Sequence, residues 1–210
     1  MKYQFIAIEG NIGVGKTTFS RMLAKELKFR IILEKFADNP FLPKFYEHPE
    51  RYAFSLELFF MAERYRQLGD IRDQDLFSKG IVSDYFFVKS KLFAENNLND
   101  DELLLFNRLS DIALKNLPKP DLLIYLHSDV ERLQFNIKKR GRSFEQNISN
   151  DYLFDIQNKY FDFFKKHSHF PVLIVDVSEV DFVNQKDIFE RLVALTTKSH
   201  QKGLNRISIT

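Results

Sequence analysis

The sequence GNIGVGKT at residues 10–17 fits the pattern GxxxxGK[ST] and lies between two segments of different hydrophobic period. The preceding run, Tyr3 to Glu9, predicts a buried strand. Apolar side chains then recur at helical spacing, at Phe19, Met22, Leu23 and Leu27. The glycines therefore fall at a strand-to-helix turn, the context in which this pattern forms a phosphate-binding loop. The alternative is an ordinary glycine-rich turn between a strand and a helix.

The residue types in this loop suit the binding of a triphosphate. Gly10, Gly13 and Gly15 free the backbone to curl, so that its N–H groups and the helix N-terminus converge on an anion. Lys16 reaches the β- and γ-phosphates, and the Thr17 hydroxyl is a ligand for Mg²⁺. The predicted triphosphate site consists of Gly10, Asn11, Ile12, Gly13, Val14, Gly15, Lys16, Thr17 and Thr18.

Length and composition limit the fold and the partners. With 210 residues, 44% of them hydrophobic, the chain suits one α/β domain, predicted over residues 1–200, with a polar tail over residues 201–210. A net charge of +2 from 31 basic and 29 acidic residues argues against a nucleic-acid partner. The absence of cysteine excludes disulfides, thiolate catalysis and cysteine-ligated zinc.

The chain shows no signal for a membrane. It has no run of eighteen apolar residues, and a first strand at Tyr3 leaves no room for a signal peptide. We therefore expect a cytoplasmic protein without a membrane partner.

Five strands are predicted, each followed by helical sequence. Several of them, such as LLIYL and VLIV, are continuous apolar runs, which indicates burial on both faces of a parallel sheet. A long helical stretch from Pro49 to about Leu76 is expected to wall one side of a substrate cleft. This pattern is typical of a doubly wound α/β fold. The strands are Tyr3 to Glu9, Arg30 to Glu34, Ile81 to Asp84, Asp121 to His127 and Val172 to Val177.

Two carboxylates close predicted strands, at the sheet edge where ligands bind in open α/β folds. Glu34 ends the second strand and suits the removal of a proton from an acceptor hydroxyl during phosphoryl transfer. Asp84 ends the third strand and suits the organisation of Mg²⁺, directly or through water. Each residue is alternatively a solvated carboxylate or a cap at the strand end.

A basic segment, KKRGRSFEQ from Lys138 to Gln146, follows the helix after the fourth strand. Clustered arginines stabilise charge on a transferred phosphoryl group, and the neighbouring glycine lets them swing in on a closing flap, or LID. A solvated basic turn and a weak nucleic-acid patch are the alternatives. Glu145, together with the phosphate loop in the same chain, favours a LID at about residues 138–146.

These motifs together resemble the deoxyribonucleoside kinases, the family that contains deoxycytidine, deoxyguanosine and deoxyadenosine kinases. IAIEGNIGVGKTT resembles the family's phosphate loop, the P-loop, and NPFLPKFYEHPERYAFSLELFFMAERYRQL is similar to its substrate-site helices. RGRSFEQ resembles the LID, and DVSEVDF resembles the loop near the adenine of the phosphate donor. The resemblance covers nearly the whole chain and implies a three-layer P-loop kinase fold with a five-stranded parallel sheet.

The same resemblance implies an activity and its partners. The enzyme would transfer the γ-phosphate of ATP to the 5′-hydroxyl of a deoxynucleoside in nucleotide salvage. Mg²⁺ would arrive with the nucleotide, held by Thr17 and Asp84. Members of the family are commonly homodimers packed through helices, so a homodimer is expected.

The resemblance also assigns single residues. It implies that Glu34 is the base toward the 5′-hydroxyl, with Lys16 assisting transfer, and that Tyr46 and Glu145 hold the sugar 3′-hydroxyl. Arg140 and Arg142 match arginines of the LID. Arg64 matches an arginine of the base pocket, and Asp176 matches a position in the donor loop. The implied substrate-binding set is Glu34, Tyr46, Glu57, Arg64, Asp84 and Glu145.

One departure from the family pattern lies beside the implied base. After the third strand the family usually has an acidic residue followed by arginine, whereas here Asp84 is followed by Tyr85. Loss of that guanidinium should raise the pKa of Glu34 and slow transfer, unless another cation substitutes. The candidate substitutes are Lys89, Arg64 and Lys35.

Two further departures concern the LID and the base pocket. Asn136 replaces the first arginine of an RxxxRxR pattern, and neighbouring lysines do not reproduce the bidentate fork of arginine. Glu57 stands where the family typically reads the base with glutamine. An ionised carboxylate only accepts hydrogen bonds, and guanine offers adjacent N–H donors, so a purine is favoured and deoxyguanosine slightly preferred. Alternatively, Glu57 simply pairs with Arg64, two helical turns away.

These sequence features are compatible with three functions. An active deoxynucleoside kinase is favoured by the set Lys16, Thr17, Glu34, Asp84 and Glu145. A thymidylate kinase-like nucleoside monophosphate kinase shares the P-loop and a LID, but Glu34 would lie near the acceptor's phosphate. A nucleotide-binding regulatory module with little catalysis is motivated by Tyr85 and Asn136.

Overall fold

The computed structural model describes residues 2–36, 38–71, 79–166 and 169–209. Within these ranges the strands are β1 (Phe5–Gly10), β2 (Arg30–Ile32), β3 (Ile81–Ser83), β4 (Leu122–His127), β5 (Pro171–Asp176) and β6 (Gly203–Ile207). The helices are α1 (Lys16–Leu27), α2 (Leu42–Glu47), α3 (Pro49–Gly69), α4 (Lys89–Asn97), α5 (Asp100–Leu114), α6 (Val130–Arg140), α7 (Asn150–Lys166) and α8 (Lys186–Leu195). A 3₁₀ turn covers Ser143–Glu145.

The sheet is parallel throughout, in the order β2-β3-β1-β4-β5-β6. Its centre is β1, in which all six residues are buried. Ile6 and Ile8 pack toward α1, α6 and α8, whereas Phe5 and Ala7 pack toward α3, α4 and α5. The predicted α/β class and parallel sheet with helices on both faces are confirmed, and continuous apolar strands follow from this double coverage.

The sheet has six strands, so the prediction of five was wrong. The sixth, β6, pairs with β5 in the segment expected to be a polar tail, with Pro171 opposite Gly203. Because β6 lies at the edge, Leu204 and Arg206 are exposed while Asn205 and Ile207 are partly covered. A strand that buries only one side tolerates the polar residues that suggested a tail.

Glu34 and Asp84 lie just beyond their strands rather than inside them. The strands β2 and β3 have three residues each and end at Ile32 and Ser83. The helix predicted from Pro49 to about Leu76 is observed as α3, which ends at Gly69, and residues 72–76 of that prediction lie outside the described residues. In the described ranges, no helix combines the length and apolar character needed to cross a bilayer.

The turn between β1 and α1 depends on glycine at its first position. Gly10 has a φ of 151°, and a Cβ atom there would lie 2.5 Å from the carbonyl oxygen of Leu126. At the end of the turn, Gly15 (φ 98°) precedes the first residue of α1, Lys16. On α1, Phe19 and Leu23 are fully buried, as their helical spacing predicted. The turn therefore approaches β4 closely and opens directly into the helix N-terminus.

Candidate active site

The loop at residues 10–17 folds around the Lys16 side chain. Its Nζ atom donates hydrogen bonds of 2.8 Å to the carbonyl oxygens of Gly10 and Asn11. Burial and, next, repulsion from Lys89 lower the pKa of Lys16 to about 8. Nearby carboxylates act to raise this pKa but do not outweigh the lowering. The ammonium group is thus held above the loop and next to a second lysine, an arrangement that favours a bound polyanion.

A cavity of about 620 Å³ opens over this loop. Its lining includes six of the nine predicted triphosphate-site residues, together with the LID residues Arg140 and Arg142 and the segment after β5. Asn11 and Ile12 are placed differently: the Asn11 side chain donates to the carbonyl oxygen of Leu153 (2.6 Å), and Ile12 lines a second cavity. The six loop residues at the large cavity are Gly13, Val14, Gly15, Lys16, Thr17 and Thr18.

The donor loop contributes different residues from the one predicted. Asp176 accepts a hydrogen bond from the Ser178 backbone (2.9 Å) and is not among the described residues that line the large cavity. The lining comes instead from Val177 and, five residues further, from a turn around Asp181 and Phe182. The motif DVSEVDF therefore reaches the cavity through Val177 and through its last three residues, and not through Asp176.

Asn136 contacts the P-loop directly. Its Nδ2 atom donates to the Gly13 carbonyl oxygen (2.9 Å), and Arg132, one turn earlier on α6, also lines the large cavity. The residue that replaces an expected arginine thus ties the LID helix to the loop through a neutral hydrogen bond.

The second cavity, about 110 Å³, gathers the entire predicted substrate-binding set. Four residues line both cavities: Lys16, Thr17, Arg140 and Arg142. The two cavities therefore meet where a donor phosphate and an acceptor hydroxyl would face each other. The substrate-set residues at this second cavity are Glu34, Tyr46, Glu57, Arg64, Asp84 and Glu145.

Glu34 is paired with two cations. The Nε and Nη2 atoms of Arg64 lie 2.8 Å and 2.5 Å from the Oε1 atom of Glu34. The Nζ atom of Lys89 lies 2.5 Å from the Oε2 atom of Glu34. Burial alone would raise the pKa of Glu34, but the charges and hydrogen bonds of Lys89 and Arg64 outweigh it and hold this pKa well below its usual range. Two of the three candidate cations therefore substitute for the missing arginine, while Lys35 is exposed.

Asp84 connects the P-loop helix with the end of β2. It accepts a hydrogen bond from the Thr17 hydroxyl (2.6 Å) through one oxygen and from the Glu34 backbone N–H (2.7 Å) through the other. Burial, followed by the charge of Glu34, raises the pKa of Asp84. A hydroxyl and a carboxylate in contact form the oxygen donor set that suits Mg²⁺.

The LID arginines converge on Glu145. Arg140 and Arg142 each form an ion pair with one of its carboxylate oxygens, and the latter contact is 3.1 Å. The Arg142 guanidinium also lies 3.6 Å from the ring centroid of Phe36. Tyr46 stacks on Phe144, at 6.0 Å between ring centroids, which places its ring beside the same turn. These contacts bring the LID over the smaller cavity.

Glu57 has one engaged and one free carboxylate oxygen. Asn97 donates to Oε1 (2.7 Å), whereas Oε2 is buried and has no hydrogen-bond partner within the described ranges. Burial raises the pKa of Glu57 to about 7, although Arg64 acts in the opposite direction. Arg64 directs its donors to Glu34 and Ser90, so the simple Glu57–Arg64 pair is not the arrangement observed.

Sequence reasoning left several cavity residues unassigned. Lys89 was one of three candidates, and Arg132 and Tyr152 carried no role. Asn97, which donates to Glu57 from behind the smaller cavity's lining, was also unassigned. The lysine lies in the first turn of the helix that follows Asp84, a position that could have singled it out. The other three lie on helices brought together by tertiary packing, for which one sequence holds no local signal.

Known proteins resemble this chain over most of its length. The deoxynucleoside kinase family profile matches residues 6–200. The chain is 39% identical over 196 residues to deoxyguanosine kinase of Bacillus subtilis (strain 168), covering 90% of this chain and 94% of that protein. It is 30% identical to the deoxyadenosine/deoxycytidine kinase of the same organism, with 91% of each covered. Deoxyadenosine kinase from M. mycoides with bound dATP superposes at a TM-score of 0.77 and 26% identity, covering 92% of this chain and 97% of that one.

Proposed function

The chain belongs to the deoxynucleoside kinase family, and from that premise we propose that its preferred acceptor is deoxyguanosine. The enzyme transfers the γ-phosphate of ATP to the 5′-hydroxyl of a deoxynucleoside. The observation that carries the choice of base is the Oε2 atom of Glu57, a residue that lines the smaller cavity, because this atom is buried and has no hydrogen-bond partner among the described residues. Similarity to the deoxyguanosine kinase of Bacillus subtilis supports the same choice.

Donor binding is assigned to the large cavity. The loop N–H groups and Lys16 suit the triphosphate, and the segment from Val180 to Asn184 suits the remainder of the nucleotide. Thr17 and Asp84 would hold Mg²⁺, which neutralises phosphate charge when it is bound. Arg140 and Arg142 line both cavities and would stabilise charge on the group in transfer.

Glu34 is the group proposed to act on the acceptor hydroxyl. Its low pKa keeps the carboxylate ionised at neutral pH, so it can accept a hydrogen bond from the 5′-hydroxyl and take its proton as transfer proceeds. Arg64 and Lys89 fix the carboxylate from two sides. Tyr46 and Glu145 are proposed to hold the 3′-hydroxyl, because a phenol and a carboxylate together offer a donor and acceptors.

Guanine fits the free oxygen of Glu57 better than the other bases do. Asn97 occupies Oε1, which leaves Oε2 to accept from the N1–H and N2–H₂ edge of guanine. An ionised carboxylate offers no donor to the ring acceptor of adenine. A buried acceptor without a partner costs about 1–3 kcal/mol, and a base that supplies the missing donor recovers that energy.

The acceptor site must open before a nucleoside can bind. Its volume of about 110 Å³ lies below the roughly 300 Å³ at which ordinary ligand pockets begin. The contacts of Arg140 and Arg142 with Glu145 hold the LID turn over this space. We propose that these pairs separate when the deoxynucleoside enters, so that the arginines become available to the phosphates.

The substrate assignment is tested by product formation. Purified enzyme is supplied with ATP, Mg²⁺ and each of the four deoxynucleosides, with deoxyinosine as the matched analogue that lacks the 2-amino group. Deoxyguanosine should give the highest kcat/KM, and deoxyinosine should fall below it. A higher kcat/KM for a pyrimidine deoxynucleoside contradicts the assignment.

A homodimer is also proposed, through α5. Leu105, Leu109 and Ile112 recur at helical spacing on this helix and are 49%, 36% and 65% exposed, which leaves an apolar stripe at the surface. A second copy of the chain would bury this stripe. Sedimentation velocity should show a dimer that Leu109→Glu converts to a monomer, and a monomeric wild-type protein contradicts the proposal.

A further inference from the structure

The side chain of Gln67 connects Tyr85 with the backbone next to Glu34. Tyr85 is fully buried, and its hydroxyl donates a 2.7 Å hydrogen bond to the Gln67 Oε1 atom. The amide nitrogen of Gln67 in turn donates to the carbonyl oxygen of Leu33, at 3.3 Å. Leu33 immediately precedes Glu34 in the chain. Two hydrogen bonds through the Gln67 amide therefore link the Tyr85 phenol to the peptide unit that joins Leu33 and Glu34.

The hydroxyl of Tyr85 fixes which end of the Gln67 amide faces the backbone. A carbonyl oxygen such as that of Leu33 can only accept, so it requires the NH₂ end of the amide. The phenol donates to the opposite, oxygen end, and the two partners together select one of the two amide orientations. Burial, followed by the charge of Glu34, raises the pKa of Tyr85, so that the phenol remains a donor.

The Leu33 carbonyl lies beyond the paired residues of β2, and no described strand pairs with it. The strand β2 is the sheet edge and ends at Ile32, whose carbonyl accepts from the Asp84 N–H at 3.1 Å. On the other side, α3 presents Arg64 and Gln67, three residues apart and thus on one helical face. One helix therefore binds the Glu34 carboxylate and the adjoining backbone together.

We propose that Tyr85 is a positioning residue for phosphoryl transfer, acting through Gln67 to hold the peptide that carries Glu34. The inference rests on the proposed role of Glu34 toward the 5′-hydroxyl. Near-attack geometry is sensitive to displacements of about 1 Å, so loss of this backbone tether should slow transfer. Binding of either substrate should change little, because the cavity linings lack both Tyr85 and Gln67.

The proposal is tested with Tyr85→Phe, Gln67→Ala and the double variant. Each single change should lower kcat about 5- to 10-fold, the effect of about one lost hydrogen bond, and leave both KM values within about twofold. The double variant should be no slower than the slower single variant, because the two residues act as one unit. If Tyr85→Phe does not fold, the partly exposed Gln67→Ala variant carries the same test.

Tyr125→Phe is the matched control. Tyr125 is as fully buried as Tyr85, but its hydroxyl has no hydrogen-bond partner within the described residues, so its removal should leave kcat unchanged. A kcat within twofold of wild type in Tyr85→Phe and Gln67→Ala overturns the inference, as do losses that multiply in the double variant. Unchanged kcat in Glu34→Gln overturns instead the underlying role of Glu34, which keeps the two failures distinguishable.

Discussion

At the scale of single residues, Glu34 combines burial with two cationic partners. Its side chain is 15% exposed and contacts both Arg64 and Lys89. Removing one member of such a group leaves uncompensated buried charge, so a substitution affects stability as well as chemistry. Activity measurements on Glu34 variants therefore need the folded fraction determined in parallel.

Replacing Glu34 with glutamine should separate chemistry from donor binding. Glu34→Gln keeps the shape of the side chain but removes the ionised acceptor, so kcat should fall by about 10²-fold while ATP affinity remains nearly unchanged. Steady-state kinetics and nucleotide titration measure the two quantities. The control is Glu63→Gln, a carboxylate on α3 that forms an ion pair with its neighbour Arg66. Wild-type turnover in Glu34→Gln would remove this residue from the mechanism.

Glu57 should make guanine binding depend on pH. With a pKa raised to about 7 by burial, the carboxylate is roughly one tenth ionised at pH 6 and nine tenths at pH 8. Only the ionised form accepts both guanine donors, so KM for deoxyguanosine should fall by up to about tenfold between these values. The charged and titratable groups that act on Glu57 from its surroundings are Arg64, Lys89, Glu34, Tyr46 and Tyr152.

The matched control for this pH effect is Glu57→Gln. The variant keeps the Lys16 side chain, whose pKa of about 8 also bears on activity at higher pH. A KM for deoxyguanosine that varies equally with pH in wild type and variant therefore assigns the dependence to another group. A flat profile in the variant alone supports Glu57.

At the scale of elements, the β1–α1 turn is the most constrained segment of the site. Gly10→Ala introduces a Cβ 2.5 Å from the Leu126 carbonyl oxygen at a φ of 151°. The free energy of unfolding should fall by at least about 2 kcal/mol, because backbone strain and a backbone clash combine. Chemical denaturation checks this value. Gly69→Ala is the control, because its Cβ would lie more than 4 Å from the non-local atoms of the described residues, and a comparable loss there contradicts the account.

The elements differ in how far their positions follow from local sequence. The P-loop and its flanking strand and helix were predictable because glycine pattern, strand period and helix period lie in one continuous segment. The edge strand β6 was not, because one-sided burial permits the polar residues of a tail. Asn97 reaches Glu57 only because α4 packs against α3, and a single sequence does not encode that approach locally.

At the scale of the whole molecule, the P-loop lysine Lys16 lines both the cavity proposed for the donor and the cavity proposed for the acceptor. The described residues shared by both cavities come from α1 and the LID segment, so in the proposed mechanism transfer and closure would involve the same side chains. The arginine that is missing after Asp84 would supply positive charge beside Glu34. Two other helices supply that charge instead, through Arg64 of α3 and Lys89 of α4. A substitution in one family motif can therefore leave the charge of the site intact.

The most direct test of the account is the ratio of kcat/KM for deoxyguanosine to that for deoxyadenosine, measured at pH 8 in wild type and Glu57→Gln. A site built to accept two guanine donors should favour deoxyguanosine, and the variant should lower this ratio about 10-fold or more. Circular dichroism confirms that both proteins are folded. An equal ratio in the two folded proteins, or a wild-type preference for deoxyadenosine, contradicts the claim that Glu57 reads guanine.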